Sequence, residues 1–581
     1  MTPHRARLLL LLVIVAGVAM RLPSLWVGLG MDDFAQRAMI DGSFAVARPW
    51  WDLFGFTHGG PDELARLQAA GFMPWWSHSA LKIAPFRPLA SATIWVDVRL
   101  LGDEPMLAHA HSLLWLTAML AAAAWTLQYA LPFRVAVIAL VLLSLDESHA
   151  YPTAWLANRN ALMAATASFV AIGAHLRWRR ESARGYAWLA PMATAVALLC
   201  GEYGLGVVGY IFAYEAYGRR SALPNRARAL APTLVVLVGW GVLYTLANAG
   251  AHGSSIYLDP IREPAAALAA AVQRIPILLA SLCWSLPTGA WSLTDAGLER
   301  QVWLGVGALV ALFGWSRLWE VSSVDRPGWW ALGAIAAVVP ALGGFPSSRL
   351  TVLGALGISV VLAYVLDRAY ETVQTAKGTP RVVWGAIALA IAIGHGVLAP
   401  WRGLDIQSAL ATQHAAARRA VQTLPMTPQE GAGLRIVVLC ASDPMTLLYP
   451  PLIRHHDGLP APAAWWVLSL MPGRHELRRI DERTLQLRPM DGPMLQTVVS
   501  QLFRRPPPRL PEGTQVDLGG MQVQVVADDD GYPTVVRYVF DRPLHDPSLR
   551  FVLATDRGFV QFPLGPVGMQ LTVSSVSQLR G

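Results

Sequence analysis

Lysine is almost missing: Lys82 and Lys377 are the only two in 581 residues, so a net charge of +8 rests on arginine. Cysteine is scarce as well. Cys200, Cys283 and Cys440 are far apart and form no CxxC pair, which argues against a disulfide framework or a structural zinc site. Charge of either sign is thin. Only 14% of residues are charged, against roughly 25% in ordinary soluble domains, too few to cover a soluble surface on a chain of this length. Internal repeats and low-complexity tracts are lacking too. No nucleic-acid recognition motif accompanies the basic excess, so nucleic acid is not an expected partner.

What the chain has instead is apolar length. Hydrophobic residues make up 54% of it. After His4-Arg5-Ala6-Arg7 an apolar run extends from Leu8 to about Leu29, and about 20 such residues span a bilayer as a helix. It reads as an uncleaved first span with its N-terminus in the cytoplasm. Further apolar runs lie near 108–129, 135–146, 158–176, 187–217, 230–249, 274–292, 302–319, 328–345, 350–366 and 382–400. Basic clusters at Arg177/Arg179/Arg180/Arg184, Arg219/Arg220/Arg226/Arg228 and Arg368/Lys377/Arg381 read as cytoplasmic loops. Pairing the spans between them requires 187–217 to cross twice, turning at Gly201-Glu202-Tyr203-Gly204. It also makes 274–292, which carries Pro276 and Pro287, a re-entrant or interfacial segment. The expectation is a polytopic α-helical membrane domain over 1–400 with about eleven crossings and a large outer loop at 30–107. A linker at 401–430 follows. Short alternating runs such as Gln522-Val-Gln-Val-Val, broken by turns such as Asp528-Asp-Asp-Gly, predict a β-rich extracytoplasmic domain over 431–581.

Chemistry-bearing residues gather on the outer side. Met31-Asp32-Asp33-Phe34 follows the first span. Such paired carboxylates can accept a proton, hold a divalent metal beside a phosphate, or simply cap the next helix. In Pro85-Phe86-Arg87-Pro88-Leu89 the following Pro restricts the backbone and aims a guanidinium suited to phosphate, unless the segment is a plain surface turn. His109 and His111 stand at i and i+2, so they do not share a helix face. Asp146-Glu147-Ser148-His149 and Trp155-Leu-Ala-Asn158-Arg159-Asn160 form a polar stretch between two spans; these groups must face one another or a wet cavity, because burying them in lipid costs several kcal/mol each. Glu202 and Arg349 are isolated ionisable residues at apolar runs, suited either to function or to an internal ion pair. The outer loop is rich in Trp, and Trp75-Trp76 suits a membrane interface.

In order, these pieces are Asp-Asp after one span, Phe-Arg-Pro-Leu before the second, and Pro-x-x-x-His at its start. Trp-x-x-x-Arg-Asn-x-Leu, Gly-Glu and Ser-Arg-Leu-x-x-Leu-Gly-Ala-Leu-Gly at 348–357 follow. Over roughly 8–400 the chain resembles the GT-C superfamily of membrane glycosyltransferases. Within it, the likeness is closest to the membrane half of TMTC-type O-mannosyltransferases and their bacterial relatives. The resemblance implies an inverting sugar transferase using a polyprenyl phosphate-linked donor. It places the base on Asp33 with Asp32 as neighbour, puts Arg87, Arg159 and Arg349 on donor phosphate, and leaves His109, His149 and Glu202 as supporting cavity residues. The relatives usually carry Lys where Gly201 precedes Glu202. No cofactor is required, though a divalent metal is compatible. The expected partners are the donor lipid, the surrounding membrane lipids and a protein or glycan acceptor. The Arg-rich character suits a bacterial inner membrane with the tail in the periplasm. The rival readings are a transporter of lipid-linked saccharides and a non-catalytic scaffold.

Overall fold

A computed structural model describes residues 2–575 except 220, 261, 289–294, 319–325, 428, 432 and 442. Arg220 therefore lies outside the described residues. The chain is a multi-pass membrane protein. Six of its described helices are long and apolar enough to cross a bilayer: Pro3–Trp26, Pro105–Ala130, Leu223–Leu246, Pro264–Trp284, Ser348–Thr375 and Thr379–Gln422. Shorter apolar helices, Phe133–Leu145 and Trp329–Gly343, stand among them. The run 187–217 does split into two helices, Arg184–Cys200 and Leu205–Ala213, broken at Gly201. Of the expected re-entrant segment, 274–284 lies in the helix Pro264–Trp284, which accommodates Pro276 in its interior and is by length and composition able to cross.

Small residues and shared hydrogen bonds bring the helices together, because lipid leaves no water to satisfy polar groups. A Cβ on Gly17 would lie 2.8 Å from Ser144 Cβ, so the first span can pack closely on Phe133–Leu145 only as Gly. The buried Tyr210 hydroxyl donates to the Leu353 carbonyl (2.8 Å) and accepts from Gly357 N (3.0 Å), tying Leu205–Ala213 to Val352–Thr375.

Outside the bilayer, three small strands β1 (Thr57–His58), β2 (Lys82–Ala84) and β3 (Gly250–His252) form an antiparallel sheet. It joins the first outer loop to the loop after Leu223–Leu246. The C-terminal part is β-rich, as expected. Strands β4 (Arg435–Val438), β5 (Ala464–Val467), β6 (Gly473–Arg479), β7 (Thr484–Pro489), β8 (Gln515–Asp517), β9 (Met521–Asp529), β10 (Tyr532–Phe540), β11 (Leu549–Thr555), β12 (Gly558–Gln561) and β13 (Gln570–Ser575) make two sheets. One has six strands in the order β13-β6-β7-β10-β9-β8, and the other four in the order β12-β11-β4-β5. In the smaller sheet β11, β4 and β5 run parallel. The continuous apolar run Ile436-Val437-Val438 is fully buried there, as parallel strands require.

Two sequence expectations change here. Most of the segment 401–430 is not a linker but helix, Ala399–Gln422, continuing Thr379–Ile393 through one π turn into a 44-residue rod. Its C-terminal end meets the smaller sheet, where the Thr423 hydroxyl accepts from Phe559 N at 2.7 Å. Second, Trp75 and Trp76 do not lie at the membrane interface: they are 2% and 0% exposed. They sit in one hydrophobic core that joins the outer loop to the C-terminal sheets. Trp75 donates to the Leu468 carbonyl at 3.0 Å. Gly71, at φ +80°, abuts the Trp465 backbone so closely that a Cβ would stand 2.0 Å from its carbonyl oxygen. A tryptophan pair in a loop carries the same composition whether it faces lipid or a second domain, and the local sequence does not distinguish them.

Because that core is shared, Trp75→Ala is expected to destabilise the outer loop and C-terminal sheets together, by about 3–5 kcal/mol, read as a single shifted denaturant transition. A second prediction concerns the loop cluster of His58, Asp52, Glu63 and Arg48. The Asp52 and Glu63 carboxylates, accepting from the imidazolium, raise the His58 pKa to about 9. A raised histidine stabilises fully below its unfolded value of roughly 6.5 and loses that contribution as pH climbs through the folded value. Melting temperature should therefore fall between pH 7 and 10 in the native chain, and fall less in His58→Gln.

Candidate functional site

The outer-side acids do different things. The helix Asp32–Asp41 starts directly at the pair, after Met31 at φ +49°. Asp33 turns inward and is fully buried. Its Oδ2 accepts from Gly30 N (3.1 Å) and its Oδ1 from Ala157 N (2.9 Å). Burial raises its pKa to about 6, with Arg37 and these two N–H groups acting in the opposite sense. Asp32 points the other way and stays partly accessible. Its Oδ1 accepts the Tyr449 hydroxyl at 2.8 Å. Burial raises its pKa, while Tyr449 and the positive charges of Arg349 and Arg87 lower it in part.

Arg87 precedes the helix Pro88–Leu100. Its Nε donates to Glu202 Oε2 at 3.1 Å, and Glu202 Oε1 accepts from Phe86 N at 2.7 Å. Glu202 thus holds the arginine side chain and the backbone N–H of the residue before it. The guanidinium lies over Phe54 (4.9 Å) and Tyr203 (5.6 Å). Gly201, at φ +152°, makes this possible: a Cβ there would lie 3.4 Å from Arg87 Cγ and 2.9 Å from Asn160 Nδ2. Arg87 occupies the room a side chain at 201 would need. Arg349 forms no ion pair among the described residues and lies 4.8 Å above the Trp155 ring. Tyr257 is close enough to feel Arg349, Asp32 and Arg87, and burial raises its pKa.

The structure thus brings Asp32, Arg87, Arg349 and Glu202 into one neighbourhood. It takes Arg159 elsewhere. Arg159 is 1% exposed and bound to Asp97 Oδ2 at 2.5 Å, to Ser112 Oγ at 2.9 Å and to the Ala108 carbonyl at 2.6 Å. The protein uses its donors, leaving it to fasten two helices. His109 sits with its ring nitrogens 3.0 Å from the Gly28 and Thr153 carbonyls, and His149 contacts the Leu143 carbonyl at 2.7 Å. Both are buried packing residues. Tyr449, Tyr257 and Asp97 carried no signal in the sequence: Tyr449 lies 417 residues from its partner Asp32. The two acids point apart and two guanidinium groups act on the accessible one, so the set does not fit a divalent ion. No group of three or more metal-ligating side chains occurs among the described residues.

No family model and no curated protein matches the chain. Among solved structures it is similar to the Archaeoglobus fulgidus oligosaccharyltransferase in the apo form, with a TM-score of 0.44 and 14% identity over 80% of this chain and 65% of that one. The same archaeal enzyme, AglB, in complex with an inhibitory peptide and a dolichol-phosphate, gives 0.41 and 12% over 79% and 64%. Apo ArnT from Cupriavidus metallidurans gives 0.38 and 16% over 76% and 84%. The chain spans about two thirds of the archaeal enzyme's length. Likeness at these scores does not decide activity, which has to be argued from the residues themselves.

The two arginines should behave oppositely on removal. Arg159→Ala leaves the buried Asp97 with only His111, 2.7 Å away, and is expected to cost about 3 kcal/mol of stability, seen as a large drop in melting temperature. Arg349→Ala breaks no ion pair and should leave melting within about 0.5 kcal/mol of the native chain.

Proposed function

We propose that this chain is a membrane glycosyltransferase that moves a sugar from a polyprenyl phosphate-linked donor onto an acceptor hydroxyl at the outer face of the membrane. The observation that carries the reading is the meeting of one accessible carboxylate, Asp32, with two guanidinium groups whose outer N–H groups the described protein leaves free. An acid beside two uncommitted cations suits a reaction in which a proton is taken and a phosphate departs.

Asp32, not Asp33, is then the base. Its Oδ2 accepts the proton of the acceptor hydroxyl while Tyr449 holds Oδ1. The acceptor oxygen bonds to the anomeric carbon from the face opposite the leaving group, so the configuration inverts. The bond from that carbon to the phosphate oxygen breaks with its electron pair, and polyprenyl phosphate leaves. Arg349 and the Nη groups of Arg87 stabilise the charge that develops on it. Asp33 serves by fixing the backbone that aims Asp32. A metal has no step in this scheme. The acceptor is a protein or a glycan, reached beside the C-terminal domain, whose short helices Pro444–Leu448 and Pro450–His456 flank Tyr449. The Arg-rich loops suit a bacterial inner membrane with the site facing the periplasm.

Asp32→Asn should lower transfer from a polyprenyl phosphate-linked hexose by roughly a hundredfold or more, with insertion and melting unchanged. Asp33→Asn should fail differently. Its amide nitrogen would face the N–H of Gly30 or Ala157, so folding suffers along with transfer. In the native enzyme the acid limb of the rate profile should lie above the ordinary carboxylate range, because burial raises the Asp32 pKa and the base works only when ionised. Full activity in the Asp32→Asn protein, measured on purified enzyme, would end the assignment.

A further inference from the structure

Beside Arg87 and Arg349 lie polar groups that the described protein leaves without partners. Asn160 is 1% exposed, and neither its Oδ1 nor its Nδ2 has a hydrogen-bond partner. The buried Trp155 Nε1–H also has none. Stranding a polar group in this way is costly, and native proteins rarely do it without a reason.

These groups are not scattered. Trp155 underlies the Arg349 guanidinium at 4.8 Å. Asn160 and Arg87 pack against the same face of Gly201, which has no side chain to separate them. Arg87 and Arg349 both act on Asp32. The segment from Trp155 to Asn160 therefore places an indole donor beside one cation and a carboxamide beside the other. A fully deprotonated anion would satisfy donors only. Asn160 offers a donor and an acceptor together, so its complement must present both an oxygen that accepts and a hydroxyl that donates.

We infer that Asn160 is a donor-binding residue that grips the junction between sugar and phosphate. Its Nδ2–H₂ donates to a phosphate oxygen beside Arg87, and its Oδ1 accepts a sugar hydroxyl. Trp155 Nε1–H donates to the same phosphate beside Arg349. The inference rests on the proposed donor cavity and sharpens it: the site prefers a glycosylated polyprenyl phosphate over the bare lipid phosphate.

Native mass spectrometry of the purified full chain tests this with three probes: undecaprenyl phosphate carrying a hexose, undecaprenyl phosphate alone, and phosphatidylglycerol. The native protein should retain the glycosylated lipid best. Asn160→Leu, nearly the same size, should weaken that retention by roughly tenfold or more and erase the preference over undecaprenyl phosphate. Its melting temperature should stay level or rise, since two stranded polar atoms are removed. A structural asparagine would give the opposite thermal result, so a lower melting temperature in both Asn160→Leu and Asn160→Ala overturns the contact. Unchanged retention in both variants, with the native protein binding the glycosylated lipid, overturns the Asn160 assignment alone. Equal Asn160-dependence for phosphatidylglycerol assigns the pocket to a bilayer headgroup and also overturns it. A native protein that retains neither polyprenyl lipid removes the donor cavity and the contact together.

Discussion

The Asp33 carboxylate is the constraint from which the site follows. One oxygen takes the N–H of Gly30, at the exit of the first span, and the other takes the N–H of Ala157, in the turn between two later helices. A single side chain thereby fastens two segments 124 residues apart. Because Asp33 is turned inward, its neighbour Asp32 at the start of the same helix is turned outward. Because Ala157 is held, Trp155 and Asn160 on either side of it are held too. The acid and the groups that face it are aligned by one buried, doubly hydrogen-bonded carboxylate.

The two halves of the molecule divide the work around that point. The membrane half brings Arg349 and Glu202, and Glu202 fixes Arg87 of the outer loop. The C-terminal half brings Tyr449, whose hydroxyl closes on Asp32. The hydrophobic core common to the outer loop and the C-terminal sheets holds these contributions in register. The C-terminal domain thus packs on the outer loop and touches Asp32 directly.

The membrane class, the β-rich tail and the break at Gly201 were legible in the sequence. Each depends on local features: apolar length, alternation or glycine. The choice between Asp32 and Asp33 was not legible, because adjacent acids differ only in which one the backbone of a distant turn engages. Arg159 looked like its fellow arginines until Asp97 on a neighbouring helix claimed it. The segment after 400 read as a linker because its polar residues break the apolar run, yet helix propensity carries it on. Pairings across long sequence distance decide these cases, and composition is blind to them.

The rod Thr379–Gln422 joins lipid to the outermost sheet without a flexible joint. At 1.5 Å per residue it is about 66 Å long, more than twice the thickness of a hydrocarbon core of roughly 30 Å. Because Thr423 at its far end accepts from Phe559 N, the distance between the apolar stretch of the rod and the smaller sheet is set by helix geometry and not by the reach of a coil.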